Sequence, residues 1–158
     1  MWFRRAVSIP PKRNLVRLPL PTLLTELIES GRWRQPSDEK MLAVIPFLIE
    51  PVKFLRFNNS REFEAQLDLA DDPHLSEIFR EYRGSRENKR DLPWLDVEKA
   101  VFIVYNREPG ADLAVALDYR TSMEDPRVVA SDWWSVDSTH KWRLVEEKFS
   151  DFITKLEL

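Results

Sequence analysis

The chain has 158 residues, 43% of them hydrophobic and 32% charged, with a formal net charge of -3. That length suits one domain around one core, the composition excludes a disordered chain, and the acidic balance argues against broad attraction to nucleic acid, which depends on an excess of Lys and Arg. There is no cysteine, which removes disulfides, thiolate metal sites and cysteine nucleophiles and makes the cytoplasm the expected compartment.

Taken in chain order, "MWFRRAVSIPPKRNLVRLPLP" is interrupted by Pro10, Pro11 and Pro19 before an apolar stretch of signal-peptide length can form, so residues 1–20 read as an extended segment. The longest apolar run, Leu42 to Ile49, falls well short of the roughly 18 residues that suggest a membrane span. No membrane partner is therefore expected. "PTLLTELIESG" sets Leu23, Leu24, Leu27 and Ile28 on one helical face, with Gly31 placed to cap the C-terminus. Ser37, followed by Asp38 and Glu39, predicts the start of a second short helix, which Pro46 and Pro51 kink or end before an extended segment around Val52 to Phe57. Asn59 or Ser60 can cap "REFEAQLDLA", and Asp72-Pro73 can open "HLSEIFREYRG", although "IFREYRG" also fits an extended segment, so residues 21–84 read as mainly helical. The polar "SRENKRD" from Ser85 is an exposed loop.

Beyond that loop the period changes. "KAVFIVYN", "DLAVALDYR", "RVVASDWW" and "KWRLVEE" are short runs rich in β-branched and aromatic residues, divided by "REPGA", "TSMEDP" and "SVDSTH". The connections are too short for helical crossovers, so neighbouring strands are predicted antiparallel. "EEKFSDFITKLEL" closes the chain as a helix with Phe149, Phe152, Ile153 and Leu156 inward. The expected fold is α+β: N-terminal helices, a twisted antiparallel sheet of about four or more strands, and a C-terminal helix packed on it. Residues 1–158 form a single domain in this reading, with the sheet and closing helix spanning 92–157.

The chemistry offered by this pattern is thin. His74 and His140 are the only histidine bases, no G-x-S-x-G elbow accompanies them, and a turn histidine is the simpler reading of His140. No H-E-x-x-H or calcium-loop spacing occurs, so Asp118, Glu124, Asp125, Asp132 and Asp137 read as acids of solvated turns rather than as metal ligands. Three scattered glycines cannot build a phosphate cradle. No catalytic, cofactor-binding or metal-binding residue is assigned, and no cofactor is expected.

Two rival readings follow from specific residues. A small carboxylate-dependent or metal-dependent hydrolase or nuclease would need Asp118, Asp132 and Glu146 to converge, with Glu146-x-Lys148 as a loose nuclease-like pair. A nucleic-acid-binding module would use the basic N-terminal third (Arg4, Arg5, Lys12, Arg13, Arg17, Arg32 and Arg34) with Trp33 as a stacking aromatic. Tryptophan placement points elsewhere. In a strand, Trp133 and Trp134 face opposite sides of the sheet, and the outward one either packs under a helix or, exposed, is a candidate anchor for another protein.

The succession "LPWLDVEKAVFIVYN", "DLAVALDYR", "DPRVVASDWW" and "WRLVEEKFSDFITKL" resembles the SUKH superfamily, which includes the yeast Smi/Knr regulators of cell-wall synthesis and many bacterial immunity proteins. The resemblance rests on Leu117-Asp118-Tyr119, on Asp125-Pro126 and Val128-Val129, and on Trp142, Val145, Phe149, Phe152 and Leu156 in a Trp-x-x-Val-x-x-x-Phe-x-x-Phe spacing. It covers about residues 92 to 157. The N-terminal part departs from the family pattern, since "LPLPTLLTELIESGRW" offers the Leu-Pro and a helix but no Asn-Gly or Gly-Gly turn. The resemblance implies a non-enzymatic module that binds another protein, such as a toxin neutralised by direct contact. No catalytic residue carries over from it. Trp133, Trp134, Asp118, Arg120 and Asp132 are the candidate partner-binding residues, with no nucleic acid expected and the oligomeric state left open.

Overall fold

The computed structural model describes residues 18–48, 51–55, 91–96, 99–106, 113–132 and 141–158. The two helices expected between Asn59 and Gly84, most of the loop beginning at Ser85, both histidines, and the pair Trp133 and Trp134 lie outside the described residues. Among the described residues the architecture is α+β, with three helices and a five-stranded antiparallel sheet.

The helices are α1 (Thr22–Glu29), α2 (Asp38–Val44) and α3 (Phe149–Leu156). The strands are β1 (Val52–Phe54), β2 (Ala100–Asn106), β3 (Ala114–Asp118), β4 (Arg127–Asp132) and β5 (Lys141–Glu146), hydrogen-bonded in chain order. The four strands expected in the C-terminal half are β2 to β5, and β1 adds a fifth through antiparallel pairing of Val52 with Asn106 and Phe54 with Val104.

Local chemistry accounts for the helix ends. Leu24 and Leu27 of α1 are buried, and Gly31 follows at φ 71°. Gly31 N–H donates to Ile28 O and Arg32 N–H to Leu27 O, the paired bonds by which a glycine-terminated helix satisfies its last carbonyls. An added Cβ at Gly31 would meet nothing within 4 Å, so the cost of a side chain there is conformational. Gly31→Ala is expected to lower the unfolding free energy by about 1–2 kcal/mol, the strain of a left-handed alanine. Urea unfolding reads this directly, and an unchanged midpoint would remove the capping account. Ser37 Oγ accepts from Lys40 N–H at the start of α2, which ends just before Pro46 as that proline requires.

An irregularity on β2 organises the sheet. Phe102 pairs with Ala116 but Val104 with Val115, so Ile103 is an extra residue. A bulge of this kind resets the alternation of side chains along its strand. One face of the sheet then carries Phe54, Val104, Val115 and Ala130, and the other carries Phe102, Ala116, Val129 and Leu144. Trp33 lies 4.5 Å from Phe54 and 6.4 Å from Phe149, which puts α3 on the first face. Phe149, Phe152, Ile153 and Leu156 are all buried there.

Every residue of β3 and β4 is buried, so both sheet faces are covered at the centre. The near-continuous apolar runs "LAVAL" and "VVA" are the sequence form of such strands. On the second face the segment 91–96 runs beside β5: Trp142 N–H donates to Pro93 O, the tilted rings of Phe102 and Trp142 lie 6.0 Å apart, and Leu95 is fully buried.

The outer edge of β1 is closed by a side chain. Gln35 Nε2 donates to Val52 O at 2.7 Å while Gln35 Oε1 accepts from Phe54 N–H at 3.2 Å, so one amide imitates the next strand. Trp33 Nε1 extends the closure with a 2.7 Å bond to Leu55 O. An edge satisfied this way is a poor template for pairing with another chain.

Candidate functional site

The acids of residues 115–146 fall into separate structural roles. Asp118, the last residue of β3, is fully buried. Cross-strand register places it opposite Arg127, the first residue of β4, and the chain turns back just beyond it at Arg120. Arg120 grips its carboxylate with Nε at 2.9 and 3.2 Å from the two oxygens and Nη2 at 2.8 Å. Arg127 adds Nε at 3.0 Å and Nη2 at 2.8 Å, both to Oδ2. Arg120 N–H donates to Oδ1 at 3.1 Å.

The two arginines carry this charge outward to the neighbouring segment. Arg120 Nη2 donates to Trp94 O at 2.7 Å, and Arg127 Nη2 also pairs with Asp91, whose Oδ1 accepts from Leu92 N–H at 2.8 Å. A buried anion thus aims two guanidiniums, and the guanidiniums hold segment 91–96 against the sheet. Asp91, Arg120, Thr121 and Arg127 line an open cleft of about 150 Å³ above this cluster. Met123, 52% exposed, stands two residues beyond Thr121 in the same β3–β4 turn.

The electrostatics follow from the geometry. Burial pushes the Asp118 carboxyl up, but the hydrogen bonds and charge of Arg120, then those of Arg127, outweigh it and hold its pKa below the ordinary carboxylate value. Asp91 is also lowered, by its bonds from Arg127 and Leu92 N–H. Desolvation works against the Arg127 charge, but Asp91 and Asp118 more than compensate, and its pKa is raised. Burial raises the Tyr119 phenol, whose hydroxyl donates to Pro19 O at 2.6 Å.

A depressed folded pKa contributes stability that is complete above the unfolded value, about 3.9, and is lost as pH falls through the folded value. Unfolding free energy is therefore expected to decline on acidification below about pH 4 as Asp118 and Asp91 take up protons. Asp118→Asn removes one titrating group, and its stability curve should fall less steeply over that interval. Parallel acid limbs for the two proteins would contradict the pairing.

The remaining acids have other partners. Asp132 is buried and accepts from Arg143 Nη1 at 2.8 Å, and the Arg143 guanidinium lies 4.3 Å over the Phe47 ring. Glu146 pairs with Lys155 of α3. Asp125 caps α3 from a distance, its two oxygens accepting from Ser150 N–H at 3.0 Å and Ser150 Oγ at 2.6 Å. Phe149 N–H donates to Pro126 O beside it. The turn that sequence reads as solvated is therefore the seat of the closing helix.

These placements correct several expectations. Asp118 and Asp132, named as partner-binding candidates, both end strands and are enclosed, at 0% and 5% exposure. Arg120 is largely buried but lines the cleft. The carboxylates of Asp118, Asp132 and Glu146 do not converge. Asp132 lies five residues along β4 from the partner of Asp118, roughly 16 Å, and points to the opposite face. Glu146 pairs with Val128, four residues or about 13 Å along β4 from Asp132. Trp33, the proposed stacking aromatic for nucleic acid, uses its ring against Phe54 and Phe149 and its N–H on Leu55 O.

Arg127, Asp91 and Thr121 are functional candidates that sequence reasoning missed. The only available signal was the cross-strand opposition of an acid and an arginine at the ends of "ALD" and "PRVV", and it depends on knowing the register. Among the described residues no three His, Asp or Glu side chains stand close enough to hold a metal ion, and no helix is long and apolar enough to cross a membrane. No protein-family model, curated protein or solved structure matches the chain.

Proposed function

We propose that the chain is a non-catalytic, cytoplasmic protein-binding module of the SUKH type, which neutralises a cognate toxin by direct binding. The observation that carries the proposal is the commitment of Asp118, whose two oxygens are both held by arginine N–H groups. A carboxylate in that state is a poor general base and a poor metal ligand, because either task requires it to leave two buried cations. The residues on which the SUKH resemblance rests also have packing roles: Trp142, Phe149, Phe152 and Leu156 are buried. That leaves partner choice to the surface around them.

The test is affinity capture with the tagged chain from its native host under mild conditions, followed by titration of the purified pair. A stoichiometric complex with a Kd in the micromolar range or tighter is expected. Co-expression of the chain with any toxic protein that a neighbouring gene encodes should restore growth. If no protein is retained and no neighbouring product is neutralised, the proposal fails.

A further inference from the structure

We propose that the cleft above Arg120 and Arg127 is the docking site for an acidic side chain of the partner protein, which enters by displacing Asp91. This rests on the protein-binding reading and names the chemistry of its surface.

Charge supports it first. Two guanidiniums face one buried carboxylate, so Asp118, Arg120 and Arg127 together carry one net positive charge, and Asp91 supplies the balancing negative one. The two acids differ in kind. Asp118 has a side chain with no exposure and cannot leave, whereas the Asp91 side chain is 76% exposed. An exposed ion pair contributes little because water competes for both partners, so exchanging Asp91 for an incoming carboxylate should cost at most about a fivefold loss of affinity.

Geometry and volume then restrict the occupant. At about 150 Å³ the cleft is small beside the roughly 300–1,000 Å³ sites of drug-sized ligands, but it has room for a carboxylate and its methylenes. The arginines are aimed before any ligand arrives: the Arg120 guanidinium by three bonds to Asp118 and one to Trp94 O, that of Arg127 by two bonds to Asp118. Among the described residues the hydrogen bonds of the Arg127 side chain use Nε and Nη2, and Arg127 itself lines the cleft. Guanidinium donors fixed in a plane suit a carboxylate better than a lysine would. Met123, exposed two residues beyond Thr121 in the same turn, is the side chain assigned to an apolar residue next to the incoming acid, and arginine and methionine are both enriched at protein interfaces. The occupant expected is an acidic residue adjacent to an apolar one.

The experiment has two arms. In the first, the ¹⁵N-labelled full chain is titrated with the blocked peptide Ac-Leu-Glu-Leu-NH2, with its Gln counterpart and with inorganic phosphate. The Glu peptide should shift the Asp91, Thr121 and Arg127 resonances with a millimolar Kd, about fivefold tighter in Asp91→Asn, while the Gln peptide should leave them unmoved. Equal response to both peptides, saturation by phosphate alone, or no shift in either protein overturns the proposal. In the second arm, the captured partner should bind Asp91→Asn more tightly and Met123→Glu at least tenfold more weakly. A partner that binds the wild type and both variants within twofold overturns the cleft but leaves the protein-binding reading standing. If the wild type retains no partner, that reading fails instead, and the peptide titration decides whether the cleft takes an acid.

Discussion

Replacing Asp118 by asparagine is expected to lower the unfolding free energy by about 3–5 kcal/mol, the cost of leaving buried charge without its counter-charge. The carboxylate is fully enclosed, and the side chains it serves, Arg120 and Arg127, are themselves 13% and 10% exposed. An asparagine keeps the shape but turns one oxygen into an N–H donor facing a guanidinium, so the loss is both electrostatic and geometric. The effect should reach further than the pair. Segment 91–96 is held by Arg120 on Trp94 O and by Arg127 on Asp91, and hydrogen exchange at Leu92 and Trp142 should accelerate in the variant. A loss below about 1 kcal/mol by urea unfolding would show that the cluster is not structural.

Phe149→Ala is expected to cost a similar amount, about 3–5 kcal/mol, by a different route. Its ring is fully buried and lies 6.4 Å from both Trp33 and Phe152, so it joins the N-terminal segment, the sheet and the closing helix. Truncation leaves a cavity that α3 cannot fill by moving, since Phe149 N–H and Ser150 fix its first turn on Pro126 O and Asp125. Leu144→Ala is the control: that residue is 41% exposed and should change stability by no more than about 0.5 kcal/mol. Thermal and urea unfolding of the two variants side by side test the contrast, and equal losses would contradict it.

The parts of this fold legible in the sequence are those set by neighbours along the chain. Gly31 ends α1 and Ser37 opens α2, because caps act within a few residues. The strands β2 to β5 were marked by β-branched runs between turns, and α3 by the spacing of Phe149, Phe152, Ile153 and Leu156.

What was hidden depends on cross-strand register or on distant partners. Asp118 looked like a turn acid because Arg127, which with the nearby Arg120 makes its burial possible, reaches it only across the sheet. Asp125 is 25 residues from the Ser150 N–H it caps, and Gln35 is 17 residues from the Val52 carbonyl it satisfies. The bulge at Ile103 leaves no mark in an unbroken apolar run, yet it decides which β2 side chains face α3. Trp33 illustrates the same limit. Flanked by Arg32 and Arg34 it resembles a nucleic-acid contact, whereas its ring lies in the gap between β1 and the closing helix.

The central claim is that Asp118 is spent on its arginines and not held in reserve for chemistry. A double-mutant cycle in urea with Asp118→Asn, Arg127→Met and the pair together measures this most directly. The account predicts a coupling of about 2–3 kcal/mol, with the double variant less destabilised than the sum of the singles, because removing the second charge relieves the buried imbalance left by removing the first. Additivity within about 0.5 kcal/mol would contradict it, showing that the Asp118 carboxylate is not energetically bound to Arg127.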